Sequence, residues 1–334
     1  MSSIGIKETG VYFPPQIETA KEIGERAAIP ESVIIEKFGL VQKHVSDSDT
    51  HASDMAIRAA RTILERVDPD SIDVVIYFGS SYKDYLVWTC GTKIVHELGL
   101  KNAYAFEMMN VSSCFPIALK VAKDMLVSDQ SISSILLVGG CKEAELVDYE
   151  NVRSRFMFNF ADGGAAALVQ RGSARSKVLG SCIYTDGSFH DDVRVVGGGS
   201  KHPASVETVQ QRMHYLDVKD PQDMKKRLDP VSVANFVRVV QTAMDRSGYT
   251  AKDIDWLIPL HTKRSMFKEL LGQLELTEDK AIYLDHYGHL SALDPCIGLH
   301  LGKQRGLFKK GDKIVTVSAG TGYTWAATVL EWLE

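Results

Sequence analysis

The 334-residue sequence opens without a charged head followed by an apolar run, so its start does not read as a secretory signal. No stretch approaches the roughly 20 apolar residues of a membrane span. Charge of one sign is equally scarce: 38 Lys and Arg face 43 Asp and Glu, for a formal net charge of −5. Nothing in that balance points to nucleic acid or a membrane surface as partner, and an anionic substrate would have to meet a local basic patch. Cysteine is sparse, odd in number and scattered over Cys90, Cys114, Cys141, Cys182 and Cys296, with no C-x-x-C pair. That argues against a disulfide framework or a zinc knuckle and fits a reducing cytoplasm. The G-x-G-x-x-G fingerprint is missing too, which argues against a nicotinamide-dependent dehydrogenase. His190-Asp191-Asp192 lacks a third ligand at useful spacing and reads as a solvated loop rather than a metal site.

What is present is a soluble, core-forming composition, 45% hydrophobic and 24% charged. The chain also carries an internal repeat. A helical pattern from Ala52 to Val67 leads into the apolar run Ile72-Asp73-Val74-Val75-Ile76-Tyr77-Phe78. A second, from Val233 to Ser247, leads into Ile254-Asp255-Trp256-Leu257-Ile258-Pro259-Leu260. Continuous apolar runs of this kind read as buried parallel strands. Downstream, the order helix, run, helix, strand recurs. It covers Gly91 to Leu98, Ala103 to Met109, Phe115 to Val127 and Ile135 to Val138 in the first copy. In the second it covers Ser265 to Leu274, Ala281 to Leu284, Ala292 to Leu301 and Lys313 to Val317. The expectation is an α/β chain of two βαβα halves, 1–172 and 173–334, with right-handed crossovers placing helices on both faces of parallel sheets. Asp186 to Pro230 interrupts the rhythm, as an excursion over the site or a surface loop.

Candidate chemistry sits at strand ends. Asn110-Val111-Ser112-Ser113-Cys114-Phe115-Pro116 lies between a strand and a helix. Ser112 or Ser113 can cap that helix and Pro116 suits its first turn. Cys114 would then lie at the positive end of a helix dipole, where a nucleophilic thiolate is favoured. The bland alternative is a buried structural cysteine. His261 follows a strand, and His289 precedes a helix in the repeat unit equivalent to the one bearing Cys114. Ser318-Ala319-Gly320-Thr321-Gly322-Tyr323-Thr324-Trp325 can bring backbone N–H groups close to a ligand, or be a plain turn. Asp162-Gly163-Gly164 reads as a tight turn before the strand Ala165 to Val169.

The opening Gly5 to Pro14, Phe38-Gly39-Leu40, Ser113-Cys114, Phe160 to Ala167, His261, Tyr287 to Ala292 and Gly320 to Trp325 together resemble the thiolase superfamily, in its β-ketoacyl-acyl carrier protein synthase III branch. The resemblance implies a five-layered αβαβα thiolase-like fold from two duplicated halves, the first carrying the nucleophile and the second the histidines, in a cytoplasmic homodimer of lipid and fatty acid biosynthesis. It implies that Cys114 accepts an acyl group from acyl-CoA or acyl carrier protein, that His261 polarises a malonyl thioester, and that the N–H groups of Cys114 and Gly322 form an oxyanion hole. Decarboxylation would then give a carbanion that attacks the acyl-enzyme. No metal or redox cofactor is implied, because the thioester itself activates both carbons.

The sequence departs from the family in places. His289 stands where synthase III enzymes usually have asparagine, and Pro116 where they have glycine. The usual CoA-gripping tryptophan and arginine fall near Val33 and Lys37. Lys37, Arg153, Arg155, Lys263 and Arg264 are left as candidate phosphate contacts, and Trp88 lies in the segment that in this family lines the dimer mate's acyl pocket, where it either shortens the pocket or packs in the interface. His289 also leaves open a non-decarboxylating acyltransferase, passing the acyl group to a hydroxyl, amine or carrier thiol. A third reading is an inactive partner subunit, which the retained Cys114 and His261 disfavour.

Overall fold

The computed structural model describes residues 3–172 and 175–334. The expected boundary between halves falls at Ser173, outside the described residues, as do Met1 and Ser2. Nine strands build two sheets. The first holds β1 (Ile4–Tyr12), β2 (Val74–Gly79), β3 (Tyr104–Met109), β4 (Ser134–Lys142) and β5 (Asp162–Arg171), in the order β1-β5-β4-β2-β3. The second holds β6 (Ser176–Thr185), β7 (Trp256–Pro259), β8 (Lys313–Gly320) and β9 (Thr324–Trp332), in the order β6-β9-β8-β7. The orders match strand for strand. The counterpart of β3, expected over Ala281 to Leu284, shrinks to one parallel bridge between Leu257 and Ala281.

Each sheet is mixed rather than parallel. Only β2 with β3 and β4, and likewise β7 with β8, pair parallel; β5 and β9 pair antiparallel with their neighbours. The expectation of all-parallel sheets came from the buried apolar runs, but a β5 rich in alanine is buried on both faces whatever its direction.

Six helices complete the layers: α1 (Ala52–Leu64), α2 (Cys90–Glu97), α3 (Cys114–Ser128), α4 (Ser232–Asp245), α5 (Arg264–Gln273) and α6 (Asp294–Gln304). Alternation along the strands shows where each packs. Val74, Ile76 and Phe78 share a core with α3 and α6, whereas Val75 and Tyr77 share one with α1 and α2. In the second sheet Ile258 and Ile314 face the first of these cores, while Leu257, Val315 and Val317 face α4 and α5. The order is therefore α1/α2, sheet, α3/α6, sheet, α4/α5, five layers with the two inner helices between the sheets. At the centre β1 meets β6: Ile6 N–H donates to Ser176 Oγ at 2.9 Å, and that hydroxyl donates back to Ile6 O at 3.1 Å.

Asp162-Gly163-Gly164 opens β5 and is not a turn; Gly163 and Gly164 pair with Cys141 and Gly140. Glycine is required because α1 lies directly on the sheet. A Cβ on Gly140 would sit 1.8 Å from Ala52 O, and one on Gly164 2.0 Å from Met55 O. The excursion 186–230 packs over the loop joining β8 and β9. Asp186 and Tyr323 exchange backbone hydrogen bonds at 2.9 and 3.0 Å, and Phe189 meets the Tyr323 ring edge-on. Its carboxylates Asp191 and Asp192 are held in ion pairs with Lys219, Arg194 and Arg227.

Candidate active site

A 3₁₀ turn, Val111–Ser113, joins β3 to α3, and Cys114 opens the helix. Its φ of 48° places Val111 in the left-handed region, which a β-branched side chain resists, so surrounding contacts must hold the turn. Neither serine caps the helix as expected. Ser113 Oγ donates to Asn110 O at 2.9 Å and accepts from Asn110 Nδ2 at 2.7 Å. Ser112 Oγ instead lies 3.0 Å from His289 Nε2. Ser318 on β8 fastens the turn by donating to Ser112 O at 2.5 Å.

Cys114 is fully buried, and its Sγ–H donates to Met108 O at 3.1 Å. Burial pushes the thiol up to about 11, against hydrogen bonding from the backbone at Gly79 and Asn110. The expected thiolate is therefore a correction: the resting group is a thiol, because desolvation outweighs the helix end. The Cys114 N–H, expected in an oxyanion hole, donates to Val111 O inside the 3₁₀ turn. The loop bearing Gly322 lies against this turn; a Cβ on Gly320 would come within 2.6 Å of Asn110 O and 3.0 Å of Ser113 N.

Asp294, the first residue of α6, brings both histidines together. Its Oδ2 accepts from His261 N at 2.7 Å and from His289 Nδ1 at 2.5 Å, and its Oδ1 accepts from Leu290 N at 2.7 Å. These partners fix the tautomers. A carboxylate only accepts, so Nδ1 of His289 carries hydrogen, and in the neutral ring Nε2 accepts the Ser112 hydroxyl proton. Burial alone would lower His289; the charge and hydrogen bond of Asp294, with Glu143 behind, outweigh it and raise its pKa. His261 is the reverse case. Its Nε2–H donates to Gly39 O at 3.0 Å, Asn159 Nδ2 donates to its Nδ1 at 2.8 Å, and burial pulls it down to about 4. His261 is thus neutral with both ring nitrogens engaged. It can offer Nε2–H to a substrate only by giving up Gly39.

The outlying candidates are more dispersed. Arg264 pairs with Glu278 and lies 4.9 Å over the Tyr283 ring, which stacks on His261. Arg153 is held by Asp217 at 2.5 Å, and Lys37, Arg155 and Lys263 are exposed. Half-buried Trp88 meets Tyr85 edge-on, beside the exposed Leu86 and Val87. Sequence reasoning missed Asp294, Asn159, Glu143 and the second role of Ser112. Only Asp294 left a signal, since it occupies the repeat position of Cys114.

The family model of 3-oxoacyl-[acyl-carrier-protein (ACP)] synthase III matches residues 106–187, and that of its C-terminal part matches 244–332. Along nearly the full length the chain is 28% identical to the β-ketoacyl-[acyl-carrier-protein] synthase III of Syntrophomonas wolfei, covering 97% of this chain and 96% of the relative. It is 29% identical to that of Caldanaerobacter subterraneus, covering 98% and 97%. The crystal structure of 3-oxoacyl-[acyl-carrier-protein] synthase III from Aquifex aeolicus superposes with a TM-score of 0.84 at 24% identity, over 99% of this chain and 100% of that one. The priming β-ketosynthase of the R1128 polyketide pathway superposes at 0.86 with 21% identity, over 99% and 96%. The chain belongs to the thiolase superfamily, in its 3-oxoacyl-[acyl-carrier-protein] synthase III-like branch.

Proposed function

We propose that this protein is an acyl-thioester condensing enzyme that carries its acyl group on Cys114 and joins it, with loss of carbon dioxide, to a malonyl thioester to give a 3-oxoacyl product. The observation that carries the reading is a buried cysteine at the start of an inner helix, beside two histidines joined through one carboxylate, in a chain similar over its whole length to β-ketoacyl synthases III. Acyl-CoA and acyl carrier protein are the proposed substrates, and the thioesters supply the activation, with no metal or redox group in the scheme.

The chemistry divides between the histidines. Decarboxylation leaves an enolate whose oxygen needs hydrogen-bond donors in a water-poor site. His289 offers Nε2–H when protonated, and Asp294 stabilises that cation. We further propose a homodimer built on β3, the outer strand of its sheet, which exposes Tyr104 and Met109 near the apolar Tyr85, Leu86 and Val87. Five buried free cysteines are consistent with a cytoplasmic location.

A second reading has an observation in its favour. In the neutral state the line Ser112–His289–Asp294 presents a base rather than a donor, which suits transfer of the acyl group to a hydroxyl. One experiment separates the two. The protein is incubated with a panel of acyl-CoAs, then with malonyl-CoA or malonyl-carrier protein, while intact mass and carbon dioxide are followed. An adduct that discharges with carbon dioxide establishes condensation. An adduct that persists with no carbon dioxide released moves the assignment to the acyltransferase.

A further inference from the structure

The resting site poses a problem in proton transfer. Cys114 holds its proton and donates it to Met108 O. His261 has no free lone pair, because Nδ1 accepts from Asn159 and Nε2 carries hydrogen toward Gly39. His289 is the remaining histidine here, and its Nε2 faces the Ser112 hydroxyl, two residues before the nucleophile in the same 3₁₀ turn. Behind it Asp294 receives Nδ1–H at 2.5 Å while fully buried. The groups facing His289 are Asp294 from the head of α6, Glu143 from the end of β4 and His261 from beyond β7. Of these only Asp294 has a hydrogen bond to its ring in the structure.

Resting on the reading of Cys114 as the acylated nucleophile, we infer that Ser112 is the proton relay between Cys114 and His289, and that Asp294 is the positioning residue that makes His289 a base at Nε2. The thiol turns away from Met108. Its proton passes to Ser112 Oγ as the Ser112 proton passes to His289 Nε2, so two protons shift and the net transfer is one, from Cys114 to His289. The thiolate adds to the acyl carbonyl, the new Sγ–C bond forms, and the bond from that carbon to the donor's sulfur breaks. The departing thiolate takes its proton from the imidazolium, leaving His289 neutral. After loading, His289 takes up a proton from solvent; when the carbanion later expels Cys114 from the acyl-enzyme, the path runs backwards, and protonated His289 returns that proton through Ser112 to the thiolate. Ser112 also explains why a buried turn carries a hydroxyl whose helix-capping role is not used: Oγ bonds to His289, not to a helix N–H.

The test is the acyl-loading rate with acetyl-CoA from pH 6 to 9, read by quenched intact-protein mass, for the full-length enzyme and Ser112→Ala, Ser112→Thr, Asp294→Asn and Cys114→Ala. Ser112→Ala should load on the order of 10² to 10³-fold slower, the usual scale of a lost proton-transfer partner, with an unchanged melting temperature. Ser112→Thr, which keeps the hydroxyl, should return to within about tenfold of the parent. In Asp294→Asn the acid limb of the profile should move to lower pH, because His289 loses the carboxylate that raises it; a merely structural loss would lower the amplitude without moving the limb. Loading of Ser112→Ala at the parent rate, or slow loading with no rescue by Ser112→Thr, overturns the relay. If Asp294→Asn does not fold, the Ser112 pair still decides. Normal loading of Cys114→Ala would instead sink the nucleophile assignment itself, so the two failures are distinguishable.

Discussion

Cys114 and Asp294 are structural counterparts. Each opens an inner helix, α3 or α6, each follows a 3₁₀ turn, and each is preceded at three residues' distance by a residue of positive φ, Val111 at 48° and Ser291 at 54°. The duplicated frame thus builds one elbow twice, with a thiol at one and at the other a carboxylate that bonds both histidines. Cys114→Ala should abolish acyl uptake from every acyl-CoA while leaving the melting temperature within a few degrees, because a small buried thiol gives way to a small methyl group. Intact mass after acyl-CoA incubation checks this, and an acylated Cys114→Ala protein would contradict it.

His261 gives the fold an acid-sensitive element. Its unfolded value is the ordinary one near 6.5, and in the fold burial lowers it to about 4. Between those values the unfolded chain binds a proton that the folded chain refuses, so stability falls as pH drops below 6.5 and stops falling on this account near 4. At pH 5 the cost is about 2 kcal/mol. His289, raised in the fold, acts oppositely: its contribution is present below 6.5 and is lost as pH rises through its folded value. Unfolding free energies from urea titrations at pH 7.5 and 5.0 should show His261→Asn losing less on acidification than the parent by about this amount. An equal loss in both would refute the assignment.

The packing of α1 on the first sheet makes a sharp contrast among glycines. Gly140→Ala or Gly164→Ala drives a methyl group into the backbone carbonyls of Ala52 or Met55 and should destabilise by about 3 kcal/mol. Gly187→Ala meets open space and should change the unfolding free energy by about 0.5 kcal/mol or less. Comparable effects at the three positions would mean that α1 does not lie where the structure has it.

Much of the architecture was legible because apolar runs and helix periods repeat at matching intervals, and burial on both faces leaves that pattern in sequence. Strand direction was not, since β5 and a parallel strand bury the same residues. The site divides in the same way. Cys114, His261 and His289 could be singled out as reactive types at strand ends. Asp294 left only its repeat position opposite Cys114 as a signal; its part stayed hidden because it depends on a carboxylate reaching back to two histidines, one five and one 33 residues earlier. Nor could the protonation state of Cys114 be read, since the helix position argues for a thiolate and only the depth of burial decides against it.

The exposed apolar segment Tyr85-Leu86-Val87, at 68%, 74% and 108% relative exposure, is expected to be covered by a second copy beside the free edge of β3. Replacing Leu86 and Val87 by aspartate should convert a dimer into a monomer at micromolar concentration, read by sedimentation velocity. A parent protein that sediments as a monomer would remove the proposed dimer.

The histidine at position 289 should give the two half-reactions opposite pH dependences. Loading needs a base, so it requires the neutral ring and should speed up as pH rises toward the raised pKa of His289. Decarboxylation needs a donor at the enolate oxygen. The neutral ring has given its one N–H to Asp294, so only the imidazolium offers Nε2–H. Carbon dioxide release from the preloaded acyl-enzyme should therefore fall, by about tenfold per pH unit, above that same pKa, which lies higher than 6.5. Asparagine carries an amide donor that does not titrate. His289→Asn should then release carbon dioxide at a rate that is flat from pH 6 to 9, while its loading slows at every pH for want of the base. The two rates can be measured separately on one preparation, by intact mass for loading and by trapped carbon dioxide after rapid removal of acyl-CoA. A parent enzyme whose decarboxylation is already flat with pH would mean that the enolate is held by other donors, with the His261 Nε2–H, freed from Gly39, the first to consider.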